Sequence, residues 1–372
     1  MNQNNTNYFA PILGAYYLFY FALVGVYVIF MPKALADLNF SASQIGTIYA
    51  AGPFMRFLLP FIFKYLIPLN LRVYQVSLFV MLVASISFIS SVENFWIYFL
   101  SNLIFGASMG ISLPYVETIA LSKLSKKQYG KVRLWGSIGF MAIALWIGKI
   151  LSNPYQTLYY LVAMALFVVA FGLLVVKYDE TKHSSTQADS KFNLSKYWAF
   201  WLSVFLMQVA FGGFYNFFTI YETSHGISLE LTSWMWSFGV ICEIVMLYFQ
   251  GPLLEKNLLS VIKFSIFITS FRWLMLYLYP DSIFIAFASQ SLHAFSFALY
   301  HTASINYVYL LYTQKKLAQQ FFLGIAFGLG GSIGAILAGR VYGEYLFLIE
   351  SFITLLSLLA IILHQRRKEY VV

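Results

Sequence analysis

The chain has 372 residues, 60% hydrophobic and 20% aromatic, with only 10% charged and a formal net charge of +9. Soluble domains of this length carry about 25% charged residues, so this chain cannot cover its surface against water, and most of that surface faces lipid. Its basic residues fall in short runs between apolar segments, which excludes a nucleic-acid partner in favour of membrane topology, and the single Cys242 excludes a disulfide framework.

A bilayer core takes roughly 20 apolar residues per helix. The first apolar segment, residues 8–30, is too long for a signal-peptide core and has no basic leader, so it is read as a retained span. Neither end carries a lipidation motif. Further spans fall at residues 43–66, 72–91, 95–121, 132–152 and 155–177. A polar stretch comes next, with His183, Ser184, Ser185, Thr186 and Gln187, and then spans at 197–221, 231–251, 259–278, 282–311, 318–340 and 343–363. The expected fold is an all-α membrane protein of twelve transmembrane helices. They form two pseudo-symmetric six-helix bundles, 1–177 and 197–372, joined by a cytoplasmic linker, 178–196.

Loop charges test the count. One side carries Lys64, Arg72, Lys123, Lys126, Lys127, Lys131, Arg133, Lys177, Lys182, Lys191, Lys196, Lys256, Lys263, Lys315, Lys316, Arg366, Arg367 and Lys368. The other carries only Lys33, Lys149 and Arg340. Basic residues stay on the cytoplasmic side, so both termini are expected there, and a miscount by one helix would scramble the alternation. Offsetting the halves by 188 residues matches Gly25 with Gly213, Tyr27 with Tyr215, Phe30 with Phe218 and Gly136 with Gly324. These matches and the six-plus-six division point to a duplicated bundle, in which a solute site lies between two rocking halves.

Each ionisable group near the bilayer centre costs about 2.5–3.5 kcal/mol on insertion scales. The spans nonetheless hold Arg56, Glu117, Glu243, Arg272, His293 and His301, which must pair or line a wet cavity. Arg56, two turns from a helix end, suits a structural pair as well as a site. Glu243 and Arg272, near mid-depth, point to function. His293 and His301 are two turns apart on a similar face, and with Gln290 and Ser296 they make a polar stripe. Glu350 has no obvious partner. Glycines cluster at Gly324, Gly328, Gly330, Gly331, Gly334 and Gly339, a pattern that suits either a moving interface or tight packing. There is no phosphate-cradling loop with a lysine, no HExxH and no paired Cys-x-x-Cys, so neither a metal, a cofactor nor ATP-driven transport is expected, nor an enzyme.

Two stretches carry a resemblance. Pro114-Tyr115-Val116-Glu117 followed by Tyr129-Gly130-Lys131-Val132-Arg133-Leu134-Trp135-Gly136-Ser137 resembles the Pro-x-Val-Glu and Phe-Gly-Arg-x-Arg-x-x-Gly stretch of the lactose permease group. Phe271-Arg272-Trp273, with Gln290-Ser291-Leu292-His293-Ala294-Phe295 and His301, resembles the bacterial 3-phenylpropionate transporter branch, as does the region of Arg56. Both branches belong to the major facilitator superfamily, which the twelve spans and central loop resemble throughout. The resemblance implies that Glu117 and Arg133 pair beside a substrate, that Glu243 faces Arg133 across the halves, and that His293 and Arg272 serve proton coupling. The family's stacking tryptophan falls at Phe140 and its span 10 carboxylate at Ser296, which weakens a galactoside substrate and removes the usual proton acid. The usual Gly-x-x-x-Asp-Arg loop is replaced by residues 64–72.

The expected function is secondary active transport of a small organic solute, best an aromatic carboxylate such as an arylpropionate, by proton symport across the bacterial inner membrane, as a monomer. Glu117, Arg133, Phe140, Arg272, Tyr27 and Arg56 are the expected substrate residues, with Tyr16 and Tyr20 completing aromatic walls. Glu243, His293 and His301 are the expected proton carriers. Efflux of amphipathic compounds, sugar or nucleoside uptake, and a membrane sensor that no longer transports are the alternatives.

Overall fold

The computed structural model describes residues 3–179 and 193–369. Most of the expected linker, and with it Lys182, His183 and Lys191, lies outside the described residues. Among the described residues there are no strands, and twelve helices are long and apolar enough to cross a membrane. They are α1 (Tyr8–Asp37), α2 (Ala42–Tyr65), α3 (Leu71–Ser91), α4 (Phe95–Lys123), α5 (Lys127–Ile150) and α6 (Pro154–Tyr178), then α7 (Ser195–Ser224), α8 (Leu229–Phe249), α9 (Leu258–Leu278), α10 (Ile283–Leu311), α11 (Leu317–Val341) and α12 (Leu346–Arg366).

Helices dominate because lipid offers no partner to a backbone N–H or C=O, so each segment must satisfy its own. The connections are short, and their polar residues cap the helices they lead into. Ser41 and Gln44 form a reciprocal capping box before α2, and Ser125 and Gln128 form another at the start of α5. Asn70, Asn94, Asn153, Ser228, Asn257 and Ser282 accept from first-turn N–H groups of α3, α4, α6, α8, α9 and α10. The first span is longer than its apolar run predicts. It continues through Lys33 to Asp37, which form an i,i+4 ion pair on its last turns.

The chain divides into two compact units, Met1–Gln187 and Ala188–Val372. In the first, α1 packs on α5 and α6, α4 on α2 and α3, and α3 on α6. In the second, α7 packs on α11 and α12, α10 on α8 and α9, and α9 on α12. Shifting the helix number by six converts one set of pairings into the other, which is the expected duplication seen in packing. The closest approaches are built on glycine. A Cβ on Gly139 of α5 would stand 2.0 Å from the Leu18 carbonyl of α1. In the second unit, a Cβ on Gly212 of α7 would stand 2.1 Å from the Gly334 carbonyl of α11. Gly330 and Gly334 thus serve tight packing of α11 on α7 inside one unit.

Backbone irregularity is uneven. Among the described residues of the first unit only α1 widens to a π-helical turn, at Val26–Phe30. In the second, α10 widens at Ala294–Leu299 and α11 at Gly324–Gly330, and α7 breaks at Ala210–Phe211 before restarting at Gly212. Widened turns and breaks leave backbone groups that the rest of the protein must satisfy.

Candidate functional site

In the first unit, α4 and α5 bring the two expected charged residues together. The Arg133 Nε donates to Glu117 Oε1 at 3.4 Å, and the Tyr129 hydroxyl donates to the same oxygen at 3.4 Å. Both charged side chains keep about a third of their surface exposed, 32% for Arg133 and 31% for Glu117. The guanidinium lies over the rings of Phe21 (4.1 Å) and Tyr17 (5.1 Å) of α1, a cation–π arrangement that holds it in place. Phe140 sits partly buried on α5 beside Gly25 of α1. Arg56 is exposed on α2, lies beside Gly110 of α4 and forms no ion pair with a described residue.

The expected aromatic walls are wired to α4. Tyr16 shares a 2.7 Å hydrogen bond with Ser112, Tyr20 donates to the Met109 carbonyl (3.1 Å), and Tyr27 donates to Asn102 Oδ1 (2.8 Å). Asn102 in turn donates to the Ile48 carbonyl of α2 at 2.6 Å. Tyr27 lies in the widened turn of α1, and its carbonyl accepts from the Tyr49 hydroxyl at 2.9 Å. These hydroxyls are engaged inside the unit, and Tyr16 and Tyr20 are buried in its core, so of these three expected wall residues only Tyr27 keeps part of its surface open.

In the second unit, Arg272 of α9 is fully enclosed. It is bound by α10 alone: Nη1 contacts His293 Nδ1 (3.0 Å) and donates to Ser296 Oγ (3.2 Å), while Nη2 donates to Gln290 Oε1 (3.1 Å). Every one of these acceptors is uncharged unless His293 gains a proton. Phe214 of α7 and Trp273 stack against the guanidinium at 4.2 and 4.5 Å. The His293 Nε2 lies 4.0 Å from Glu243 Oε2 of α8, whose side chain is a quarter exposed. Arg272, His293 and Glu243 therefore lie in a row that runs from an enclosed cation to a partly open carboxylate. His301 stands apart from that row. The turn at Ala294–Leu299 widens between the two histidines, and His301 packs on Phe322 (5.6 Å) and Phe327 (5.4 Å) of α11. Phe297 lies between them, stacked on both rings.

Two acids escape the sequence reading. Glu350 of α12 is 3% exposed and accepts from the Gly213 N–H in the restart of α7. Its only signal in the sequence is its lack of an obvious partner, because that partner is a backbone group. Glu222 is fully enclosed, and neither carboxyl oxygen has a hydrogen-bond partner among the described residues. It falls one residue beyond the expected end of its span, whereas α7 continues to Ser224. Among the described residues no group of His, Cys, Asp and Glu could hold a metal ion.

Similarity to known proteins agrees with this architecture. The chain is 24% identical over 358 residues to the "Probable 3-phenylpropionic acid transporter" of Escherichia coli (strain K12), covering 89% of this chain and 90% of that one. It is 25% identical over 327 residues to an uncharacterized transporter of Bacillus subtilis (strain 168), covering 82% and 79%. Among solved structures, the nucleoside transporter NupG matches with a TM-score of 0.76 at 20% identity, covering 96% of this chain and 99% of that one. A peptide transporter of the POT family matches with a TM-score of 0.74 at 12% identity, covering 96% and 97%. These likenesses show the fold. The model of the MFS_1 like family matches from residue 11 to residue 353, and so the chain belongs to that family, as a multi-pass membrane transporter of small organic solutes and not an enzyme.

Proposed function

We propose that the protein takes up an aromatic carboxylate, of the arylpropionate class, by proton symport. The observation that carries this reading is Arg272, an enclosed guanidinium stacked on Phe214 and Trp273 and held only by uncharged acceptors. A permanent charge inside the membrane has a high standing cost, and function is the usual reason to keep one. A carboxylate that displaces Gln290 or Ser296 from the guanidinium gains a charge-assisted bond, and its ring gains aromatic neighbours. Similarity to a protein described as a 3-phenylpropionic acid transporter supports the same substrate class. The likeness to NupG suggests nucleosides as a second class, but an uncharged nucleoside makes less use of a buried arginine.

Glu243 is the proposed proton carrier, with His293 between it and Arg272. A carboxylate in a half-dry setting binds a proton more readily, and a solute anion nearby strengthens that binding, which couples the two loads. Alternating access then exposes Arg272 by parting the rings around it. Glu117, Arg133, Phe140 and Tyr27 are proposed to contact solute from the first unit, and His301 to line its path. Arg56, exposed and without an ion pair to a described residue, is the weakest candidate of the set. The protein is placed in the bacterial inner membrane as a monomer of two six-helix domains, with both termini cytoplasmic.

The test is solute-induced pH change outside lightly buffered proteoliposomes. Adding 3-phenylpropionate should alkalinise the medium, and Glu243→Gln should abolish that signal and uphill accumulation together. Uphill accumulation at full rate in Glu243→Gln removes this residue from coupling, and no response to any aryl acid removes the substrate class.

A further inference from the structure

Among the described residues, the second unit encloses carboxylates and the first encloses none. Glu350 is the only acid that α12 presents inside the unit, and two serine pairs fix where it lies. The Ser351 and Ser270 hydroxyls lie 2.8 Å apart and each is within reach of the other's carbonyl, at 2.9 and 3.2 Å, so their two protons clamp α12 to α9 two residues from Arg272. Ser357 and Ser203 make the same kind of clamp between α12 and α7, with a 3.0 Å hydroxyl contact and a 2.8 Å bond to the Ser203 carbonyl. Glu350 is thus held where α7, α9 and α12 converge.

There its carboxylate meets the break in α7. The chain turns at Ala210–Phe211, and the restarting helix presents N–H groups that have no carbonyl one turn earlier. Glu350 Oε1 accepts from the Gly213 N–H. A Cβ on Gly213 would lie 2.6 Å from that oxygen, so the position must be glycine for the carboxylate to enter. Phe214, the next residue along, carries the ring that stacks on Arg272 at 4.2 Å. Arg272 Nε and Glu350 Oε2 are each buried without a hydrogen-bond partner among the described residues, and the two side chains form no direct ion pair.

We propose that Glu350 is a positioning residue for Arg272: one enclosed carboxylate that closes the break in α7 and supplies the counter-charge of the buried arginine. The two tasks are linked. An anion that reaches Arg272 takes over the second task, loosens the hold of Glu350 on the guanidinium, and so bears on the start of the restarted helix. The pairing itself is independent of which solute the protein carries, whereas its effect on uptake rests on the reading of Arg272 as the anion-holding group.

A double-mutant cycle on the purified full-length protein tests the pairing by thermal unfolding without solute. Glu350→Gln keeps an oxygen for the Gly213 N–H and removes only the charge. It and Arg272→Gln should each lower the unfolding midpoint by about 5 °C or more, because each leaves a buried charge alone. The double variant should fall no further than the worse single one. Additive losses overturn the proposal. Should Glu350→Gln fail to fold, adding Arg272→Gln must restore folding, and failure of the double variant to fold also overturns it. In uptake of labelled 3-phenylpropionate, Glu350→Asp should stay within a few-fold of the parent while Glu350→Gln raises KM by about tenfold. Equal behaviour of the Asp and Gln variants sinks the counter-charge role. If the parent protein itself takes up no aryl acid, the substrate reading fails and the unfolding cycle still decides the pairing.

Discussion

In the first unit, Arg133 makes a loose 3.4 Å contact with Glu117 and keeps about a third of its side chain exposed, at 32%. In the second, Arg272 has no exposed surface and is held by three α10 side chains at 3.0–3.2 Å. The helix pairings of the two units are the same, so the difference lies entirely in side chains and in the backbone's local irregularities. Helix pairing depends on shape spread over dozens of residues and survives as the units diverge. A buried charge depends on two or three neighbours and can be installed in one unit alone. The enclosed arginine of the second unit comes with a broken α7 and two widened turns, which supply the angles that His293 and Phe214 need.

This contrast can be broken most decisively at Arg272. Arg272→Lys should lower uptake at least about a hundredfold, since an ammonium cannot span Gln290, Ser296 and His293 while stacked between two rings. Arg133→Lys should cost far less, because its one ion pair is long and partly exposed and a lysine can still lie over the Phe21 and Tyr17 rings. Equal losses measured in proteoliposomes would erase the distinction between the units. Next comes the close packing. Gly212→Ala places a methyl group against the Gly334 backbone and should destabilise the protein by about 2 kcal/mol or more in denaturant unfolding. Gly139→Ala, aimed at the Leu18 carbonyl, should cost a similar amount, which would show that packing is shared even where charge is not. The smallest effect is expected at Glu117. Glu117→Gln keeps an acceptor for Tyr129 and Arg133 and should raise KM by roughly tenfold or less while leaving the unfolding midpoint within a few degrees.

The fold is legible in the sequence because the signals for it are repeated. Twelve apolar runs, loop charges that alternate, and Ser or Asn residues placed one step before many of the helices say the same thing many times over. A pairing between charged side chains is legible where it fits a known motif, as with Glu117 and Arg133, whereas the contact of Arg272 with His293 is seen only in the structure. The hidden features depend on backbone. The Gly212-Gly213 pair after Ala210 and Phe211 marks a weak point in α7 but names no partner for the freed N–H, so Glu350 reads as partnerless when its partner is the Gly213 N–H. The equal spacing of His293 and His301 assumes a regular helix, and the turn between them is widened. Glu222 escapes through a boundary error of a few residues at the end of its span.

The three tyrosine contacts between α1 and α4 run in opposite numerical directions, from Tyr16 with Ser112, through Tyr20 with Met109, to Tyr27 with Asn102. They are rungs between two antiparallel rails. A slip of one helical turn would break every rung at once, whereas a tilt that keeps the rails together breaks none. These two helices should therefore behave as a single lever, turning as one piece while neither slides along the other.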